Sequence, residues 1–157
     1  MFRPTIVLVL VLGPALARGD DKKDTTPAEL KTFAGAWKFV SIELPGKTEG
    51  PTKEAMEQVR IVFRGDTITF KGGPRGDQTA TVEIDPSQKP AHITIHPPKD
   101  AKKGKPLQAI YKFENNTLTI CGSEEERPTE FAVKEETKTR LLVLERVSQK
   151  TKEKEKE

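Results

Sequence analysis

Apolar residues recur at every second position through most of the chain. Ile61 and Phe63 alternate with Arg60, Val62 and Arg64, and Ile68 and Phe70 fall between Thr67, Thr69 and Lys71. Ala80, Val82 and Ile84 interleave with Thr79, Thr81 and Glu83, and Ile93 and Ile95 lie between His92, Thr94 and His96. A period of two places such residues on one face of a strand, with the polar set turned to water. Tyr111 and Phe113 lead through Asn115-Asn116, a good tight-hairpin pair, to Leu118 and Ile120. Trp37 to Ile42 is a mixed run, Phe131 and Val133 make a short one, and Leu141 to Leu144 a last one. Turn residues such as Gly65-Asp66, Asp85-Pro86-Ser87 and Pro97-Pro98 separate these segments. The pattern predicts about eight or nine short antiparallel strands, the spacing of an all-β barrel or sandwich.

Helical periodicity is confined to two short places. Thr26-Pro27-Ala28-Glu29 carries a capping Thr, Pro at the first helical position and Glu three residues after the cap. Leu30, Phe33 and Ala34 then share a face, and Gly35 is placed to end the helix. Lys53 to Val59 can form two turns, with Ala55, Met56 and Val59 on one side. With no alternation of strand and helix there is no βαβ rhythm.

The two ends read differently. Met1-Phe2-Arg3-Pro4 is a short basic start, Ile6 to Leu12 is unbroken apolar sequence, and Ala15-Leu16-Ala17 supplies the small residues an export peptidase reads. These are the three parts of a secretory signal peptide. The apolar stretch falls short of the ~20 residues a membrane-spanning helix needs. The expected organisation is therefore a signal peptide over 1–17, cleaved after Ala17, and a flexible lead-in over 18–25. A barrel domain follows over 26–148, then a disordered Lys/Glu tail over 149–157. Localisation is expected to be secreted or periplasmic. Cys121 is the one cysteine, which excludes a disulfide framework and suits a buried, inert thiol.

Composition narrows the partners. The chain is 32% charged, but 27 Lys and Arg stand against 24 Asp and Glu, so the net charge of +3 points to no nucleic acid or anionic membrane. Lys99, Lys102, Lys103 and Lys105 crowd one loop without the interleaved aromatics of a single-strand site. His92 and His96 are the only histidines, and on a strand they lie ~13 Å apart. Ligands of one zinc sit ~2 Å from it, so no metal is implied. Arg-Gly-Asp occurs at Arg18, Arg64 and Arg75, and is read as ordinary turn chemistry. Glu124, Glu125 and Glu126 lack the spacing of a calcium loop, and Arg127 with Glu130 suggests a structural ion pair near a barrel mouth. No nucleophile elbow, phosphate loop or dinucleotide fingerprint is present, and no cofactor is implied. Catalysis would require a site built from ordinary Ser, Thr, Asp and Arg on loops.

Gly35-Ala36-Trp37, just after a short helix, resembles the Gly-x-Trp signature of lipocalins. Further blocks resemble a family of exported, uncharacterised lipocalin-like proteins abundant in planctomycete bacteria. They include Val62-Phe63-Arg64-Gly65-Asp66, Asp85-Pro86-Ser87, Asn116-Thr117-Leu118 with Cys121, Arg127-Pro128-Thr129-Glu130-Phe131, and Leu141 to Arg146. The charged stretch Ala132 to Arg140 departs from the Ser/Gly-rich connection of that family. The resemblance implies a small up-and-down barrel with the Trp packed across its closed end. It carries over no catalytic residue. Trp37, Phe39, Phe63, Phe70, Tyr111 and Phe113 are then expected to line or plug the interior. The functional expectation is non-catalytic binding of a small apolar ligand in the barrel. The alternative is a solid-core module contacting another macromolecule through its loops or outer face.

Overall fold

A computed structural model describes residues 27–46, 49–98, 101 and 104–148. The expected signal peptide, the lead-in, the Thr26 cap, the first Arg-Gly-Asp, Lys99, Lys102, Lys103 and the Lys/Glu tail lie outside them. Helix α1 (Pro27–Phe33) precedes strand β1 (Gly35–Glu43), and α2 (Lys53–Gln58) precedes β2 (Arg60–Arg64). Then come β3 (Thr67–Lys71), β4 (Gln78–Asp85), β5 (Ala91–His96), β6 (Leu107–Glu114), β7 (Thr117–Ser123) and β8 (Arg140–Arg146). Each strand pairs antiparallel with the next, and β8 returns to β1, closing an eight-strand up-and-down barrel. Closure leaves no unpaired sheet edge. Among the described residues no helix is long and apolar enough to cross a membrane.

The period-two sets form the inner wall. Ile61, Phe63, Ile68, Ala80, Val82, Ile84, Ile93 and Ile95 all belong to the buried core, joined by Ala109, Tyr111, Leu118, Ile120 and Leu144. The mixed run in β1 has a structural reason. The pairing of β1 with β8 shifts register between Phe39 and Ser41, so Phe39 opposes Leu144 and Ile42 opposes Leu142. Paired residues share a face, so this bulge turns both an odd and an even position inward. Val40, the extra residue, is 53% exposed. Phe131 and Val133, expected to make a strand, do not: they lie in the irregular connection between β7 and β8.

That connection also corrects the expectation that the outer face meets water everywhere. Residues 124–139 lie as a strap on the outside of β5, β6 and β7. Ile110, Cys121 and Ser123 point outward, since Ala109, Ile120 and Gly122 point in, yet all three are fully buried. Ser123 Oγ donates to Thr137 O at 2.5 Å, Cys121 Sγ contacts Ala132 O at 3.6 Å, and the Lys112 ammonium lies 5.1 Å from the Phe131 ring centre. Arg127 pins the strap: one guanidinium nitrogen donates to Ile93 O and Ala109 O, the other to Thr94 Oγ1 at 2.8 Å. Burial holds the Arg127 pKa below its ordinary value, with the Asp85 carboxylate acting the other way. The expected Arg127–Glu130 pair is not formed, because Glu130 binds Lys134 at 2.5 Å.

Candidate functional site

The two ends of the barrel have different chemistry. At one end β1 begins and β8 finishes, and the β2–β3, β4–β5 and β6–β7 turns gather there. Helix α1 lies across this end. Its Phe33 side chain is fully buried, with ring centres 5.2 Å from Phe63, 4.9 Å from Tyr111 and 4.8 Å from Phe113. Edge-on and tilted contacts of this kind are the favoured aromatic geometry. Trp37 lies 6.1 Å from Phe113 and is 1% exposed. Trp37, Phe63, Tyr111 and Phe113, four of the six aromatics assigned to the interior, therefore form one cluster around a helical plug.

The plug is tied down by its own backbone. A helix leaves its last carbonyls without internal partners, and they must be satisfied by something else. Here Trp37 Nε1 donates to Phe33 O at 2.8 Å, and Arg146 donates to Thr32 O and Ala34 O at 2.6 Å each. The Arg146 guanidinium also stacks 4.2 Å from the Trp37 ring centre. At the other end of α1, Tyr111 Oη donates to Glu29 Oε1 at 3.2 Å. Burial, and then the Glu29 charge, push the Tyr111 phenol well above its ordinary value. Phe33 is the residue that the strand pattern alone misses. It lies on a helix, and only its place on the apolar face with Leu30 signals it.

The opposite end is a mouth. Phe70, Ala80, Ile95, Pro97, Pro98 and Leu107, with Gln78, Thr79 and Lys105, line an open pocket of about 180 Å³. Phe70, the fifth predicted aromatic, is thus at the mouth and not in the plug cluster. Phe39, the sixth, is half-buried on β1 opposite Leu144. Beside this pocket, Lys105 also borders a polar one of about 240 Å³ with Glu124, Glu125, Lys138 and Arg140. Glu124 binds Arg140 at 3.1 Å and Glu125 binds Lys138 at 2.5 Å, so the first two residues of the acidic run are held by ion pairs. The Lys138 ammonium, both as donor and as charge, keeps the Glu125 carboxyl below its usual range. A wider groove of about 610 Å³ continues from there over Leu44, Pro45, Gly46 and Glu135.

The other sequence candidates are dispersed. Arg64-Gly65-Asp66 is the β2–β3 turn, with Gly65 at φ 58°, and Arg75-Gly76-Asp77 lies in the β3–β4 loop, with Gly76 at φ 75°. Both glycines adopt the left-handed backbone that turns require. His92 and His96 lie on β5 opposite Asp85 and Thr81, and His96 Nε2 stands 3.4 Å from Glu83. Among the described residues no three His, Cys, Asp or Glu side chains gather where they could hold a metal ion. The chemistry the arrangement offers is shape and burial: a filled closed end, and an apolar hollow with a cation on its rim. No family model, no curated protein and no solved structure matches the chain.

Proposed function

We propose that this chain is an exported, non-catalytic binding module whose barrel mouth takes up a small apolar group. The observation that carries the reading is the pocket of about 180 Å³ walled by Phe70, Ile95, Pro97, Pro98 and Leu107. The closed half supports the same site by exclusion, since Phe33, Trp37, Phe63, Tyr111, Leu118 and Leu144 already fill it. An apolar cavity of ~150 Å³ accepts benzene, so the mouth suits one ring or a short chain rather than the ~300 Å³ and above of drug-sized ligand pockets. The basic start, the apolar run Ile6 to Leu12 and Ala15-Leu16-Ala17, read as a signal peptide, support a role outside the cytoplasm.

Amide chemical-shift mapping of the whole chain with benzyl alcohol tests the site. The expected shifts saturate and cluster at Phe70, Ala80, Ile95 and Leu107. Ala80 is a buried wall residue of the pocket, and Ala80→Ile fills the space with three further carbons, branched at Cβ as suits a strand. Binding is expected to be lost in this variant while the far-ultraviolet spectrum is kept. Shifts scattered over the surface, or unchanged by Ala80→Ile, would refute the site and favour the solid-core module that works through its loops.

A further inference from the structure

Resting on that reading, we propose that the mouth selects a small organic anion, its apolar body between Phe70, Ile95 and Leu107 and its carboxylate facing Lys105. Lys105 is exposed and borders both the apolar pocket and the polar pocket beside it. The polar pocket carries the cations Lys105, Lys138 and Arg140 against the carboxylates Glu124 and Glu125. Both carboxylates are already engaged, Glu124 by Arg140 at 3.1 Å and Glu125 by Lys138 at 2.5 Å. Lys105 stands outside those two ion pairs, attracted to Glu125 only through space, at the junction where an apolar body entering the mouth would end. A neutral ligand leaves that ammonium to water, whereas a carboxylate gains a charge-assisted contact beside low-dielectric walls. The long alkyl stem of lysine also lets the head follow the ligand while the stem packs on the rim.

The test compares benzoate with benzyl alcohol, two probes of nearly equal shape that differ in charge, by amide chemical-shift titration of the whole chain. In the unsubstituted protein benzoate is expected to bind about fivefold more tightly, the upper range of an exposed ion pair. The preference should shrink as salt is raised. In Lys105→Gln the two affinities are expected to converge through the loss of benzoate affinity, and Lys105→Arg should retain the preference. Lys105 is on the surface, so the substitution leaves the core intact. Equal affinities in the unsubstituted chain, or a preference that persists in Lys105→Gln, overturn the anion selectivity and leave the mouth site standing. Absence of binding by both probes overturns the two together.

Discussion

Arg146 joins the last strand to the plug, and its removal makes a sharp test of how the barrel is closed. Its two guanidinium nitrogens donate to Thr32 O and Ala34 O at 2.6 Å each, and its plane stacks 4.2 Å from the Trp37 ring centre. It therefore places a fixed cation at the carbonyl end of α1, where the helix dipole is negative. Hydrogen bonds from a charged group contribute ~1.5–3 kcal/mol each when well buried, but these two are exposed and their carbonyls regain water when the donor leaves. Taking about half a kcal/mol for each bond and ~1 kcal/mol for the stacked ring gives a loss of ~2 kcal/mol in Arg146→Met, which keeps the alkyl stem. For a domain of this size that corresponds to a fall in Tm of roughly 6–10 °C. Arg146→Lys should recover only part of it, since an ammonium cannot form the fork that spans two carbonyls. Thermal unfolding followed by circular dichroism gives the Tm. Emission from Trp37, the single tryptophan, reports the closed end directly. A Tm within about 2 °C of the parent with unchanged Trp37 emission would show that Arg146 does not hold the plug, and the reasoning would fail.

Other outcomes follow from the same geometry. Phe33→Ala empties the centre of the aromatic cluster and is expected to cost ~3–5 kcal/mol, read as a lower urea midpoint with an unchanged slope. Tyr111 is the single tyrosine, so its titration is visible alone as phenolate absorbance. Burial and the Glu29 charge raise its folded-state pKa above the unfolded value of about 10. The stability it contributes is thus complete below that pH and is lost as pH rises from there towards the folded-state value. Phenolate absorbance should stay absent past pH ~10 and rise together with alkaline unfolding, whereas a rise near pH 10 in the folded chain would contradict the burial. Cys121 is fully buried beneath the strap, and burial pushes its thiol up. It should resist a disulfide reagent in the native protein and react measurably faster in Arg127→Met, where the strap loses its donors to Ile93, Ala109 and Thr94. Equal rates would show that Arg127 does not hold the strap down.

Much of this architecture is legible in single segments. Strand identity and inner face follow from local alternation, because a one-residue slip would send Ile61 and Phe63, or Val82 and Ile84, into water. The hairpin at Asn115-Asn116, with Asn115 at φ 55°, and the turn at Gly65 are likewise local backbone chemistry. The six interior aromatics could be named from the strands, but not sorted, since nothing along the chain separates Phe70 at the mouth from Phe63 at the plug. The bulge at Val40 is visible only as a break in alternation, and its meaning depends on the register with β8. Phe131 and Val133 alternate like a strand, yet they belong to a strap that covers Ile110 and Cys121 from outside.

What the chain determined by itself, then, is an all-β set of short antiparallel strands preceded by a helix with one apolar face. Each of those features is set within a few residues by side-chain period and turn chemistry. The tertiary structure alone decided that β8 closes on β1, that Phe33 fills one end, that a charged connection seals part of the outer wall, and that the remaining hollow ends at Lys105. These are contacts between residues far apart in sequence: Arg146 meets Ala34, Tyr111 meets Glu29 and Arg127 meets Ile93. Local period decides which way a side chain points, whereas burial depends on what the rest of the chain brings to that face.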